Sequence, residues 1–179
     1  MTIAVYPGTF DPVHYGHVDI ATRAATIFDH LIVAVYNRPL KNLLFTTEER
    51  LVLMRDALKG IPNIEVDSYG SLTVEYVRRK GAAVIVRGLR VTYDFELEYQ
   101  MALANRKLAP DVETVCLMTG LEHAFLSSSN IKEIVMHGGC VDELVPPHVA
   151  VALRKKAETL GDDINSKVRL ISPGVSLPA

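Results

Sequence analysis

The chain of 179 residues sets 19 lysines and arginines against 21 aspartates and glutamates, a net charge of −2, and 49% of its residues are apolar. That length supports one domain of ordinary size with a real core. The mixed charge gives no basic footprint for a nucleic-acid partner, and no segment has the apolar length needed to cross a bilayer. Cys116 and Cys140 stand far apart, without metal-ligand spacing, and read as two inert thiols of a reducing compartment. The amino terminus runs directly into an apolar strand with no charged leader, so the expected location is cytoplasmic, with neither nucleic acid nor membrane as partner.

From there the chain alternates between two periodicities. Strand-like runs fall near 2–6, 31–36, 64–69, 82–86 and 113–118, with helix-like segments between them. Such alternation predicts βαβ units, an α/β fold with a five-stranded parallel sheet, doubly wound in the Rossmann manner. Thr46 and Glu49 form a capping-box start for a helix reaching about Leu58, which Gly60-Ile61-Pro62 ends. A second helix is expected over about 93–107, stopped by Pro110, and a third over about 147–160, opened by Pro146-Pro147 and closed by Gly161. Residues 1–160 form the domain on this reading, and 161–179 a tail in which Val168, Leu170 and Ile171 are candidates for an edge strand or a neighbouring subunit. Tyr76, Tyr99 and Met101 fall in helical patterns and are expected to be packing residues.

In open α/β sheets ligands sit beyond the carboxyl ends of the strands, where strand order reverses. The first such end reads Tyr6-Pro7-Gly8-Thr9-Phe10-Asp11-Pro12-Val13-His14-Tyr15-Gly16-His17. Pro7-Gly8 stops the strand, and Ala21, Ala24, Ala25 and Phe28 then recur at helical spacing. His17 therefore lies in the first turn of a helix, where unpaired backbone N–H groups favour an anion. Neither a P-loop nor G-x-G-x-x-G occurs, so phosphates would be held by imidazole donors, Thr9 and helix N–H groups. Gly16 between the two histidines would let the backbone approach a ligand closely. The competing reading of His14 and His17 is a zinc pair or two solvated loop histidines.

Three further strand ends carry polar chemistry. Arg87-Gly88-Leu89-Arg90 sets two guanidiniums beside a glycine, a match for a ligand with several phosphates, or two ordinary surface arginines. Asp94, Glu96 and Glu98 follow and cannot all share one helical face. Glu98 is a candidate acceptor for a nucleotide hydroxyl, or, with Asp94, a neutralising partner for the arginines. Ser127, Ser128 and Ser129 precede a helix marked by Ile131, Ile134 and Val135; a plain cap needs one serine, and three leave donors for phosphate oxygens at a helix N-terminus. Lys41, in the loop after the second strand, is a solvated charge or a clamp for an acceptor phosphate.

G-T-F-D-P-V-H-Y-G-H resembles the [T/H]-x-G-H motif of the nucleotidylyltransferase superfamily. Together with R-G-L-R at 87–90, D-F-E-x-E at 94–98 and F-x-S-S-S-x-x-K-E at 125–133, the chain from about residue 3 to 158 resembles the bacterial phosphopantetheine adenylyltransferase family. That resemblance implies a nucleotidyltransferase fold and use of ATP and Mg²⁺ to convert 4′-phosphopantetheine into dephospho-coenzyme A and pyrophosphate. By motif, Thr9 contacts both substrates, Phe10 and His17 face ATP, and His17 stabilises the transition state. Lys41, Thr73 and Arg87 match acceptor contacts. Gly88, Leu89, Arg90, Glu98 and the stretch His123, Ala124, Phe125, Leu126, Ser127, Ser128, Ser129 match ATP contacts. Thr73, His123 and Asn130 depart from the residues usual in the family at their positions. The resemblance also implies a homohexamer and feedback by coenzyme A. No residue is assigned to a metal.

Because the acceptor phosphate is already an anion, attack on the α-phosphorus needs no protein nucleophile; positioning and charge stabilisation remain. His17, Lys41 and Arg90 are the expected catalytic groups, with Ser128, Ser129 and Mg²⁺ assisting at the phosphates. The rival readings are a nicotinamide or nicotinate mononucleotide adenylyltransferase, a glycerol-phosphate cytidylyltransferase, and a non-catalytic ATP-binding module.

Overall fold

The computed structural model describes residues 1–40, 43–90 and 92–169, with the backbone alone for Thr92, Tyr93 and 161–169. Five strands, β1 (Ile3–Gly8), β2 (His30–Tyr36), β3 (Ile64–Tyr69), β4 (Val84–Leu89) and β5 (Glu113–Met118), form one parallel sheet in the order β3-β2-β1-β4-β5. Each expected strand lies within three residues of its place. The connections are α1 (Tyr15–Ile27), α2 (Thr47–Ala57), α3 (Thr73–Arg79) and α4 (Thr92–Leu108), followed by α5 (Ser128–Met136) and α6 (Pro147–Arg169). The chain leaves β1 towards β2 on one side and returns to β4 on the other, so the topological switch lies between β1 and β4.

Strand alternation separates two cores. Ala4 and Tyr6 of β1, Leu31, Val33 and Val35 of β2 and Val86 of β4 face one layer, where they meet residues of α1, α2, α5 and α6. Val5, Ile32, Ala34 and Ile85 face the opposite layer against Val74, Tyr76 and Val77 of α3 and Ala109 and Val112 behind α4. Side chains of successive strand residues point to opposite faces, so continuous apolar runs are what a sheet covered on both sides requires.

Local signals set several boundaries. Thr46 caps α2 by accepting from the Glu49 N–H at 3.2 Å, and the Glu49 carboxylate returns a bond to the Thr46 N–H at 2.8 Å. Gly60, at φ 96°, takes the chain out of that helix in a backbone region that other residues rarely adopt. Gly161 does not close α6, which runs from Pro147 to Arg169 over 23 residues. An interior glycine costs roughly 1 kcal/mol relative to alanine, which does not end a helix of that length. Val168 is accordingly helical, not an edge strand; Leu170 and Ile171 lie outside the described residues.

Tyr76 is buried as expected, but Tyr99 and Met101 are more than half exposed, together with Phe95 and Leu103. The apolar residues of α4 recur at every second position, and on a helix that spacing spreads them around the axis instead of onto one sheet-facing stripe. Among the described residues, no helix is long and apolar enough to cross a membrane.

Thr46→Ala should cost about 1 kcal/mol of stability through loss of the α2 cap. Urea denaturation of the two proteins checks the value, and an unchanged midpoint contradicts it.

Candidate active site

At the carboxyl end of β1 the chain makes a tight set of ring contacts. A Cβ on Gly8 would stand 2.6 Å from the Phe10 ring, so only glycine fits there. Phe10 has φ 50° and is 3% exposed; its ring meets Tyr6 edge-on at 5.4 Å and His17 edge-on at 4.9 Å. The strained turn thus turns Phe10 inward as a wedge that props His17. His14, at the N-cap of α1, is buried and stacks on His17 with ring centroids 3.6 Å apart. The His14 N–H donates to His17 Nδ1 at 3.3 Å, which leaves the imidazole proton on Nε2. A Cβ on Gly16 would press on the His14 ring at 3.1 Å, so its missing side chain admits an imidazole, and Gly16 also lines the chamber described below.

Across the switch point, both arginines of β4 and its following turn are held by α4. Arg87 donates to both oxygens of Glu98, from Nε at 2.7 Å and Nη2 at 2.5 Å, and from Nη1 to the Pro7 carbonyl at 2.7 Å. Arg90 donates to Asp94 from Nε at 2.8 Å and Nη2 at 3.0 Å, and from Nη1 to the Leu126 carbonyl at 2.7 Å. Burial pulls the Arg87 pKa down, but the Glu98 bonds outweigh it and leave the group above its ordinary value. The Asp94 bonds likewise raise that of Arg90. Asp94 and Glu98 lie one turn apart on one face of α4, while Glu96 is exposed. The neutralising alternative is therefore the one the structure shows. Each guanidinium spends three of its five N–H donors in this way.

The three serines divide the work. Ser127 is the plain N-cap of α5, accepting from the Asn130 N–H at 3.2 Å. Ser128 donates to the Pro12 carbonyl at 2.9 Å, so its hydroxyl proton is committed to the loop before α1. Ser129 makes no side-chain hydrogen bond among the described residues, and all three line the same chamber.

That chamber, of about 330 Å³, lies between β1, β4 and the N-termini of α1 and α5. Thr9, Phe10, His17, Arg87, Gly88, Arg90 and Glu98 all reach its wall. A second cavity of about 210 Å³ adjoins it and shares Pro7, Gly8, Thr9, Arg87 and Glu98; its remaining wall includes Tyr36, Tyr69, Thr73, Met101 and Asn105. Some expected residues stand back from both cavities. Leu89 closes β4 by accepting from the Thr119 N–H, and Leu126 is buried, touching the site only through its carbonyl on Arg90. Phe125 is 66% exposed, and His123 stacks loosely on Tyr15 at 6.2 Å; with Ala124 they form a rim beside the chamber and not its wall. Asn130 is exposed, with its backbone used by the cap. Lys41 lies outside the described residues.

Sequence reasoning missed two buried charges and the partner of one of them. Arg50 is fully buried and donates from Nη1 to the Thr9 carbonyl at 2.7 Å and to the Tyr36 carbonyl at 2.8 Å, pinning the first junction to the end of β2. Asp11, 1% exposed, accepts from the Leu44 and Phe45 N–H groups and pairs with Lys132 at 2.8 Å. Arginine and aspartate are rarely buried, so helical or loop context gave no reason to place them inside. The only hint was an aspartate beside a proline in an otherwise apolar junction.

A Cytidylyltransferase-like family model matches residues 5–134. A phosphopantetheine adenylyltransferase of Carboxydothermus hydrogenoformans is 55% identical over 161 residues, spanning 90% of this chain and 99% of that protein. One from Herpetosiphon aurantiacus is 51% identical, over 89% of this chain and 96% of its own length. The chain belongs to the phosphopantetheine adenylyltransferase family. Among solved structures, a Vibrio parahaemolyticus protein that provisionally carries the name nicotinate-nucleotide adenylyltransferase matches with a TM-score of 0.62 at 15% identity, over 86% of this chain and 99% of that one. That likeness shows the shared fold. The chamber lies over the switch point, where open α/β sheets take their ligands.

Burial, reinforced by the charge of Arg90, holds the His14 pKa at about 3, well below its ordinary 6.5. Between those values the unfolded chain binds a proton that the folded chain refuses, so stability falls as pH drops through that window. His14 should remove about 2 kcal/mol between neutrality and about pH 5, at about 1.4 kcal/mol per pH unit below its unfolded pKa. Urea denaturation at both pH values checks this: His14→Gln should lose that much less than the parent chain, and equal losses contradict the assignment.

Proposed function

We propose that this chain transfers the adenylyl group of ATP to 4′-phosphopantetheine, giving dephospho-coenzyme A and pyrophosphate, a reversible step of coenzyme A biosynthesis. Family membership supports the reaction. The observation that carries it in the geometry is the pair of cavities meeting at Thr9 and Arg87. One is edged by imidazole, guanidinium and serine; the other offers tyrosine rings, Thr73, Met101 and Asn105. A nucleotide triphosphate suits the first, and a long, mostly uncharged arm ending in a phosphate suits the second, with that phosphate at the junction.

Chemistry then follows from placement. The acceptor phosphate attacks the α-phosphorus in line, held by Arg87 and, on the motif match alone, by Lys41. His17, with its proton on Nε2, donates to an α-phosphate oxygen. Arg90 and the N-terminus of α5, with Ser129, hold the charge that builds towards pyrophosphate. The carboxylates of Asp94 and Glu98 lock the two guanidinium forks before substrate arrives, which leaves less reorganisation for the transition state. Mg²⁺ is proposed as part of the ATP complex. Among the described residues no three carboxylates, histidines or cysteines come together to hold a metal, and the chamber's two carboxylates face arginines, so no side chain is assigned to the ion.

A homohexamer is proposed as well, in the cytoplasm; the exposed apolar residues of α4 support burial against other copies. Coenzyme A, which shares the acceptor's arm, is proposed to feed back on the enzyme at the second cavity.

Pyrophosphate release from ATP should depend on 4′-phosphopantetheine and be absent with nicotinamide mononucleotide. The opposite preference contradicts the reading, and release with neither favours a non-catalytic ATP-binding module. His17→Ala should lower turnover by at least about 100-fold while ATP affinity changes by less than about threefold. Steady-state kinetics with calorimetric ATP binding separate the two, and equal losses in both contradict the role of His17.

A further inference from the structure

Two side chains of α5 dock on two consecutive residues of the first junction. Lys132 Nζ donates to Asp11 Oδ2 at 2.8 Å, and Ser128 Oγ donates to the Pro12 carbonyl at 2.9 Å. Ser128 and Lys132 are four apart, so both leave the same face of the helix. Among the described residues, the other packing of α5 on the body of the protein is apolar, through the buried Ile131 and Val135. Apolar packing is non-directional and permits a helix to slide or roll by a fraction of a turn. The two polar contacts fix what packing leaves open.

Asp11 does more than receive Lys132. Its Oδ1 accepts from the Phe45 N–H at 2.9 Å, and its Oδ2 lies 3.0 Å from the Leu44 nitrogen. One carboxylate thus joins three segments: the junction of Thr9 with the first turn of α1, the chain entering α2, and the helix that presents Ser127–Ser129 to the chamber. Ion pairs taken out of water are weak devices for stability, because desolvation offsets their attraction; their best-attested use is to fix register.

We propose that Asp11 and Lys132 form a positioning pair that sets the register of α5 against the first junction, and so the distance between His17 and the N-terminus of α5 across the ATP phosphates. The pair touches no substrate. It rests on the adenylyl-transfer reading for its turnover readout only, since ATP binding reports on the same alignment without an acceptor.

The test compares Lys132→Met, Lys132→Arg and the neutral double variant Asp11→Asn/Lys132→Met, which leaves no uncompensated buried carboxylate. Folding is checked by circular dichroism, ATP binding by calorimetry and turnover by pyrophosphate release. In the folded Met variants, turnover should fall about 10- to 100-fold, as for a displacement near 1 Å. ATP should bind at least about threefold more weakly, while the KM for 4′-phosphopantetheine stays within about twofold, because the acceptor cavity does not involve α5. Lys132→Arg, which keeps the charge, should stay within about threefold of the parent chain in both readouts. The proposal is overturned by folded Met variants with normal ATP binding, by equal weakening of ATP and acceptor, by an Arg variant as impaired as Met, or by loss of the folded state in the single and double variants alike, which would make the pair a stability element. A parent chain that binds ATP but releases no pyrophosphate overturns the functional reading instead, and the ATP affinities still decide the pair.

Discussion

The whole site depends on one topological constraint: β1 and β4 are neighbours, yet their connections leave on opposite faces of the sheet. Beyond their carboxyl ends the connections diverge, and a gap opens between two backbones already fixed by the ladder. Thr9 and His17 come from one lip of that gap, Arg87 and Arg90 from the other. A helix N-terminus from α5 closes the third side. The fold therefore brings convergent donors together without any of them being near another in sequence.

Charge management is the second layer. An empty chamber with two bare guanidiniums would repel itself and leave long side chains free to wander. Asp94 and Glu98, one turn apart on α4, prevent both by bidentate pairing. Beneath the site, Arg50 and Asp11 are buried charges whose partners are largely backbone groups of the loops themselves. Burying such groups is costly unless their hydrogen bonds are made. Their bonds are therefore worth most where they hold irregular chain, which no sheet or helix ladder supports.

Much of this was legible in the sequence because local and global signals agreed. The five apolar runs, the Thr46 box and the prolines at 110 and 147 each act over a few residues, and each marks a real boundary. The junction at 6–17 was readable because strand, turn and helix follow in immediate succession. The acidic run at 94–98 was half readable: helical spacing showed that its members divide, but which pair faces inward depends on β4. Gly161 misled because a glycine is a weak stop with no competing turn to exploit it. Phe125 and His123 were placed by motif and stand on the rim, where the loop after β5 sets them. The burial of Arg50 and Asp11 and the pairing of Lys132 with Asp11 were not legible, since they are decided by long-range contacts that no window of sequence contains.

The most direct measurement is a crystal structure with a non-hydrolysable ATP analogue bridged between the α- and β-phosphates. The account predicts the triphosphate in the chamber between β1 and β4, an α-phosphate oxygen within about 3.2 Å of His17 Nε2, and the outer phosphates between Arg90 and the N-terminus of α5. A nucleotide bound elsewhere, or one whose phosphates leave His17 without contact, would contradict it.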